Sequence, residues 1–291
     1  MHRARQQLLL QELNKYFEVD VVEYPTKYNF ILNNVADIAN YFRKVLDRNE
    51  YDLILLRGDR YEVLPIAMTA AYKRIKIAHI EGGLETGKNV IDSKVRHAIS
   101  QLSDFHFVTD EQAEKRIIFL GASPKTVFNV GSLDVSYAKS IVPKQIILED
   151  YILFLFHSIP GEDSQFVYDL VKDLGLKVIG IKANQDYVKS IMQEEYSPED
   201  FISLMYFAKC IVGNSSSICK ESSILGTPAI LVGSRQDGRI SGKNTLKVPF
   251  DRDEIIKGTK YQLGHGRYQP DLIYYQPNTE KRICDILQKV L

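Results

Sequence analysis

Four places in the sequence stop an apolar run on groups able to do chemistry: Gly58, Asp59 and Arg60; His79, Glu81, Gly82 and Gly83; His157 and Ser158; and Gly213, Asn214, Ser215 and Ser216. Asp59 and Glu81 end successive runs, and Asp92 opens the next helical segment. Carboxylates gathered in different environments can divide acid and base work. Each taken singly also fits a helix cap or a surface charge. Arg96 lies one turn after Asp92 on the same helix face and can pair with it. His157 ends the strongly apolar run YILFLFHS. It is either a contact to a phosphate or leaving group, or a half-buried ring bonded to a carbonyl.

The stretch IVGNSSSICKES (211–222) turns from an apolar run to small polar residues and back to helical spacing. Ser215 and Ser216 open a helix whose free N–H groups and positive end suit a phosphate, and an ordinary serine N-cap has the same pattern. Glu221, roughly a turn and a half into that helix, offers acceptors to sugar hydroxyls or is simply solvated. GSRQDGR (233–239) brackets two guanidinium groups with glycines, which suits an anion or the ordering of a domain interface.

Positioning these groups requires strands. The runs DLILLRG, IKIAHIEGG, FHFVTD, YILFLFHS, KVIGIKA, KCIVGN and PAILVGS alternate with amphipathic segments such as PIAMTAAYKR, DSKVRHAISQL and DEQAEKRIIFLG, the last ending in a C-terminal glycine, Gly121. Continuous apolar strands alternating with helices predict parallel sheets covered on both faces, a doubly wound α/β fold whose ligands sit beyond the carboxyl ends of the strands. The alternation pauses at SYAKSIVPKQ (136–145). That pause predicts domains over 1–142 and 143–291, with the last helix a candidate to pack back on the first domain.

The chain has 291 residues, with 37 basic residues balancing 37 acidic ones. Nothing in that balance draws it to nucleic acid or an anionic membrane, so a small-molecule partner is expected. Cys210, Cys219 and Cys284 have no metal-like spacing, and their odd number argues for a reducing, cytoplasmic setting. No apolar segment has the length of a membrane span. GxGxxG, Walker and HExxH patterns are absent, so no cofactor or metal is expected and the chemistry falls to carboxylates, His and Arg.

As a set, LLRGDRYE (55–62), HIEGG (79–83), IDSKVRHAI (91–99), GNSSS with Glu221, GTP (226–228) and GSRQDGR resemble the UDP-N-acetylglucosamine 2-epimerase family, in forms similar to its hydrolysing branch. The resemblance runs in register over about residues 52–240. It implies the GT-B arrangement, two Rossmann-like domains with a nucleotide sugar in the cleft between them. It further implies that Ser215, Ser216, Glu221, Arg235, His157, Arg60 and Asn184 (in ANQD, 183–186) hold the nucleotide, with Arg96 in the binding set. Asp59, Glu81 and Asp92 then fall on the acid/base positions, and His157 assists departure of UDP. The implied reaction takes the C2 proton with loss of UDP, then adds water to the 2-acetamidoglucal to give N-acetylmannosamine. A homodimer or larger homo-oligomer is the default for such an enzyme.

Several stretches depart from the family pattern. RARQQLL (3–9) resembles RAxxxLL, which follows a first strand and would make Arg3 a phosphate-binding arginine. That strand is not in the sequence, so the first domain is expected to lack it; either the true start lies upstream or the chain is damaged. The stretch from VDVVEYP to DLILLRG reads as short of an edge strand and helix. Ser93 stands where a second aspartate is usual, GLETGKNV (83–90) is similar to GLRTG of the non-hydrolysing branch, and YYQPN (274–278) replaces a YGxG loop. A non-hydrolysing epimerase, a GT-B glycosyltransferase and a truncated, non-catalytic nucleotide-sugar binding paralogue are the alternatives.

Overall fold

The computed structural model describes residues 2–23, 31–87, 91–181 and 196–291. The chain divides into two compact units, Leu8–Ser132 with Asn278–Leu291, and Met1–Gln7 with Leu133–Pro277.

Helices α1 (His2–Leu13) and α2 (Ile31–Arg48) precede a parallel sheet of β1 (Leu53–Arg57), β2 (Lys76–Ile80), β3 (Phe105–Val108) and β4 (Val127–Asn129), in that spatial order. Between the strands run α3 (Val63–Tyr72), α4 (Ile91–Gln101) and α5 (Glu111–Phe119). The 18-residue α2 lies in the stretch between VDVVEYP and DLILLRG. It forms because Asn34, Ile38, Phe42 and Leu46 recur every four residues on one buried face, the last three packing with Leu56, Ile66 and Ile77. Among the described residues no strand precedes β1, which stands at the sheet edge and is only partly buried, whereas β2 is buried along almost its whole length.

The other unit carries α6 (Leu133–Ser140) and a second parallel sheet of β5 (Tyr151–Leu155), β6 (Lys177–Gly180), β7 (Cys210–Gly213), β8 (Ala229–Val232) and β9 (Thr245–Val248), in the order β6-β5-β7-β8-β9. The first crossover, β5 to β6, runs one way and the later ones the other, which makes the carboxyl ends of β5 and β7 a switch point of the sheet. Helices α7 (Ser164–Lys172), α8 (Pro198–Phe207), α9 (Ser216–Cys219), α10 (Glu221–Leu225) and α11 (Arg252–His265) complete this unit. β5, β7 and β8 are buried at every residue, as strands covered on both faces must be. Their core joins Ile152, Phe154, Val212, Ile230 and Val167. Asp163, Ser197 and Asp251 cap α7, α8 and α11 by accepting from first-turn N–H groups.

The last helix, α12 (Thr279–Val290), belongs to the unit of β1–β4, where Thr279 Oγ1 donates to the Val130 carbonyl at 2.9 Å. No helix among the described residues is long and apolar enough to cross a membrane.

Candidate active site

In the unit of β1–β4, the parallel pairing of β1 with β2 sets Arg57 opposite Ile80. Asp59 and Glu81 therefore leave the same end of the sheet from adjacent strands. Glu81 is 8% exposed and holds φ +66°, a left-handed conformation that costs a non-glycine residue energy and recurs at functional sites. Its Oε1 lies 3.2 Å from Arg57 Nη2. Gly83, at φ +77°, has no room for a side chain: a Cβ would stand 2.4 Å from the Ala113 carbonyl oxygen. The tight turn that presents Glu81 thus depends on glycine there.

Arg96, 4% exposed on α4, donates through Nη1 to the Leu84 carbonyl at 2.7 Å and pairs through Nη2 with Asp59. Arg60 lies more open and forks onto Glu62, at 3.1 and 2.6 Å. Asp92 sits half-buried in the first turn of α4. Ser93, in place of an aspartate, forms a clasp with Thr86: it accepts from the Thr86 N–H at 2.8 Å, donates to the Thr86 carbonyl at 2.7 Å and bonds Thr86 Oγ1 at 2.8 Å.

Beneath these groups His79 is fully buried. Its Nε2–H donates to the Gly58 carbonyl at 2.8 Å, which fixes the tautomer and leaves Nδ1 to accept from Ser100 Oγ at 3.0 Å. Burial, with a lesser contribution from the Arg96 charge, pushes its pKa down to about 3, so the ring stays neutral while it ties β2, α4 and the turn before Asp59 together.

In the other unit the loops after β5, β7 and β8 converge on Asn214. Its side chain grips the His157 main chain from both sides, Oδ1 accepting from His157 N–H at 2.7 Å and Nδ2 donating to His157 O at 2.8 Å. Its carbonyl accepts from Arg235 Nη1 at 3.0 Å and Gln236 Nε2 at 2.9 Å. Gly213 lets β7 approach β5 this closely, since a Cβ there would lie 2.0 Å from the Leu155 carbonyl oxygen.

Ser215 and Ser216 are half-buried at the junction after β7, with Ser215 Oγ accepting from Ser217 N–H at 3.4 Å as the N-cap. The continuous helix expected after them is broken. α9 ends at Cys219, Lys220 turns at φ −95° and ψ −75°, and Glu221 is the first residue of α10 instead of lying deep in one helix. Ser222 and Ser223 bond back to the Ile218 and Lys220 carbonyls at 2.6 and 2.5 Å, which competes with the helical ladder. The Lys220 side chain turns inward to Asp134 at 2.6 Å, both nine-tenths buried. Glu221 is itself 1% exposed and accepts from Ser217 Oγ at 3.2 Å.

Of the residues singled out from sequence, the structure brings Asp59, Glu81 and Arg96 together in one unit and His157, Ser215, Ser216, Glu221 and Arg235 in the other. Arg3 lies on α1, its side chain outside the described part, and Asn184 lies outside the described residues altogether. Arg57, Asn214 as a clamp and Gln236 were not legible as site-building residues. Among the described residues no group of three or more His, Cys, Asp or Glu is arranged to hold a metal ion.

The half-buried serines with Arg235 and His157 suit a diphosphate, and the guanidinium-held carboxylates suit proton transfer. Residues 10–288 match the family model described as UDP-N-acetylglucosamine 2-epimerase. The "Polysialic acid biosynthesis protein P7" of Escherichia coli is 29% identical over 273 residues, covering 82% of this chain and 69% of that protein. The "UDP-N,N'-diacetylbacillosamine 2-epimerase (hydrolyzing)" of Legionella pneumophila is 28% identical over 280 residues, covering 86% of this chain and 74% of that one. Among solved structures, the "S. aureus MnaA-UDP co-structure" superposes with a TM-score of 0.82 at 15% identity, covering 98% of this chain and 93% of that chain. The two parallel sheets with alternating helices and this likeness make the fold GT-B-like. The chain belongs to the UDP-N-acetylglucosamine 2-epimerase family.

Proposed function

We propose that the protein is a hydrolysing UDP-N-acetylglucosamine 2-epimerase. It removes the C2 proton of the sugar as the C1–O bond to UDP breaks, leaving 2-acetamidoglucal and UDP. Water then adds across the double bond, its hydroxyl to C1 and a proton to C2 on the opposite face, giving N-acetylmannosamine. The observation that carries this reading is the carboxylate pair at the carboxyl ends of β1 and β2, each held by its own guanidinium: Asp59 by Arg96 and Glu81 by Arg57. A C2 proton is weakly acidic, so a base fixed before the substrate arrives lowers the barrier more than a mobile one.

Asp59, Glu81 and Asp92 share the proton transfers. Ser215, Ser216 and Arg235 receive the diphosphate, with Arg60, Arg3 and Asn184 as further nucleotide contacts, and His157 stabilises the departing UDP. Glu221 takes the ribose. Arg96, bonded to Leu84 O and Asp59, acts by orienting the carboxylate. The Legionella relative's description as hydrolysing and the UDP in the S. aureus structure support the assignment.

The test is incubation with UDP-N-acetylglucosamine in D2O, followed by NMR. Free UDP and N-acetylmannosamine deuterated at C2 should appear in step, and Glu81→Gln should slow both by about 10³-fold. Interconversion of UDP-sugars without release would overturn the hydrolytic reading in favour of the non-hydrolysing branch, the second reading, to which the similarity of GLETG (83–87) to GLRTG of that branch points. Binding of UDP with no turnover would make the chain a nucleotide-sugar binder.

A further inference from the structure

Glu162 lies outside every motif singled out from the sequence, yet it is 8% exposed and carries a carboxylate. Its Oε1 accepts from both the N–H and the hydroxyl of Ser234, each at 2.7 Å, across 72 residues of chain. Its Oε2 is buried with no hydrogen-bond partner among the described residues. The carboxylate is wedged against Gly233, where a Cβ would come within 2.2 Å of Oε2. A Cβ at 233 would therefore have to push the Glu162 carboxylate aside, and the glycine's φ of +75° makes a side chain there strained as well. The turn that delivers Glu162 is itself closed, with Ile159 and Glu162 exchanging N–H to O bonds at 3.1 and 2.9 Å. Burying a carboxylate with one oxygen unpartnered is unfavourable, and such a group in a folded protein calls for an explanation.

We propose that Glu162 is a positioning residue for the diphosphate-binding groups, a latch that ties the loop carrying His157 to the loop carrying Arg235. The ring of contacts is continuous. Glu162 holds Ser234, Arg235 beside it holds the Asn214 carbonyl, Asn214 holds the His157 main chain, and His157 leads back through the closed turn to Glu162. Removing the latch frees the start of the 233–239 loop, and Arg235 no longer meets its anion in one orientation. This inference rests on the proposed binding of UDP by Arg235, while the latch itself is a claim about the loop and is read separately.

The experiment uses the full chain and four variants, Glu162→Ala, Glu162→Asp, Glu162→Gln and Arg235→Ala, with hydrogen exchange, UDP calorimetry and turnover. Glu162→Ala and Glu162→Asp, the latter pulling the charge back by one carbon, should speed amide exchange at Ser234 and weaken UDP binding about 10-fold, the loss expected for one charge-assisted contact. Glu162→Gln keeps a carbonyl for Ser234 and should stay near wild type. Arg235→Ala should add little in the Glu162→Ala background, because the arginine is already misplaced there.

Unchanged exchange at Ser234 in Glu162→Asp, or multiplicative effects of Glu162→Ala and Arg235→Ala, overturns the proposal. A Glu162→Gln variant with a protected loop but lost turnover overturns it too, since the charge would then act on substrate directly. Should the wild-type chain bind no UDP, the functional reading fails, and the exchange result still decides the latch.

Discussion

Arg57 Nη2 meets Glu81 Oε1 at 3.2 Å, with both side chains nearly nine-tenths buried and Glu81 held at a positive φ. The pair joins the last residue of one strand to the residue just past the end of its neighbour. Arg57→Ala removes a buried cation and leaves a buried carboxylate less compensated, which should cost about 3 kcal/mol of stability. Arg57→Lys should recover part of it, as a point charge without the planar fork. Urea unfolding of both variants measures the difference, and equal stability of wild type and Arg57→Ala would show that the pair contributes nothing.

His79 and His106 stand opposite one another on β2 and β3 and are both buried. Burial pushes the pKa of His79 down to about 3 and that of His106 down to about 4. In the unfolded chain both titrate near 6.5. As pH falls below that value the unfolded state takes up protons the folded state refuses, so stability is complete at neutral pH and declines on acidification. At pH 5 each histidine should have withdrawn about 2 kcal/mol. Denaturation curves at pH 7.5 and pH 5 check this, and His106→Asn should remove roughly half of the acid sensitivity. A variant as acid-sensitive as the parent would contradict it.

Asn214 is 0% exposed and makes bonds in two directions, to His157 and to the side chains of Arg235 and Gln236. Asn214→Ala leaves the His157 N–H and carbonyl without those partners. The expected cost is about 2 kcal/mol of stability, together with a UDP affinity lowered by about 10-fold through loss of loop order. Asn214→Asp should separate the two effects, because it keeps the acceptor for His157 N–H and sets a carboxylate against the His157 carbonyl. Calorimetry and thermal unfolding on the two variants give the answer.

Lys220 and Asp134 are an ion pair with side chains 6% and 8% exposed. Lys220→Met alone strands Asp134 and should cost about 3 kcal/mol. The double change Lys220→Met with Asp134→Leu should recover most of that, because two apolar groups of similar volume replace two desolvated charges. A double variant no more stable than the single one would mean that the charges themselves, not their mutual compensation, hold α6 to α10.

The sequence made the sheets legible wherever strands are buried on both faces. YILFL, CIVG and AILV read as strands from their short length, their apolar and β-branched residues and the glycine or turn residues that follow them. β4, three residues of VFN, and β9, TLKV with its middle exposed, carry no such run and take their form from neighbouring strands. The strand-end residues were legible because a parallel sheet gathers them at one edge. The break at Lys220 was hidden, since Asp134, to which the Lys220 side chain turns, lies 86 positions earlier. Glu162 was hidden for the same reason: only the folded chain brings it to Ser234.

The closed ring through Glu162, Ser234, Arg235, Asn214 and His157 has a kinetic and thermal consequence. Those loops lose their conformational freedom when the chain folds, so association with a nucleotide need not order them again. Binding to this unit should therefore be fast and show a small heat-capacity change, close to what the buried ligand surface alone requires, with no added contribution from loop folding.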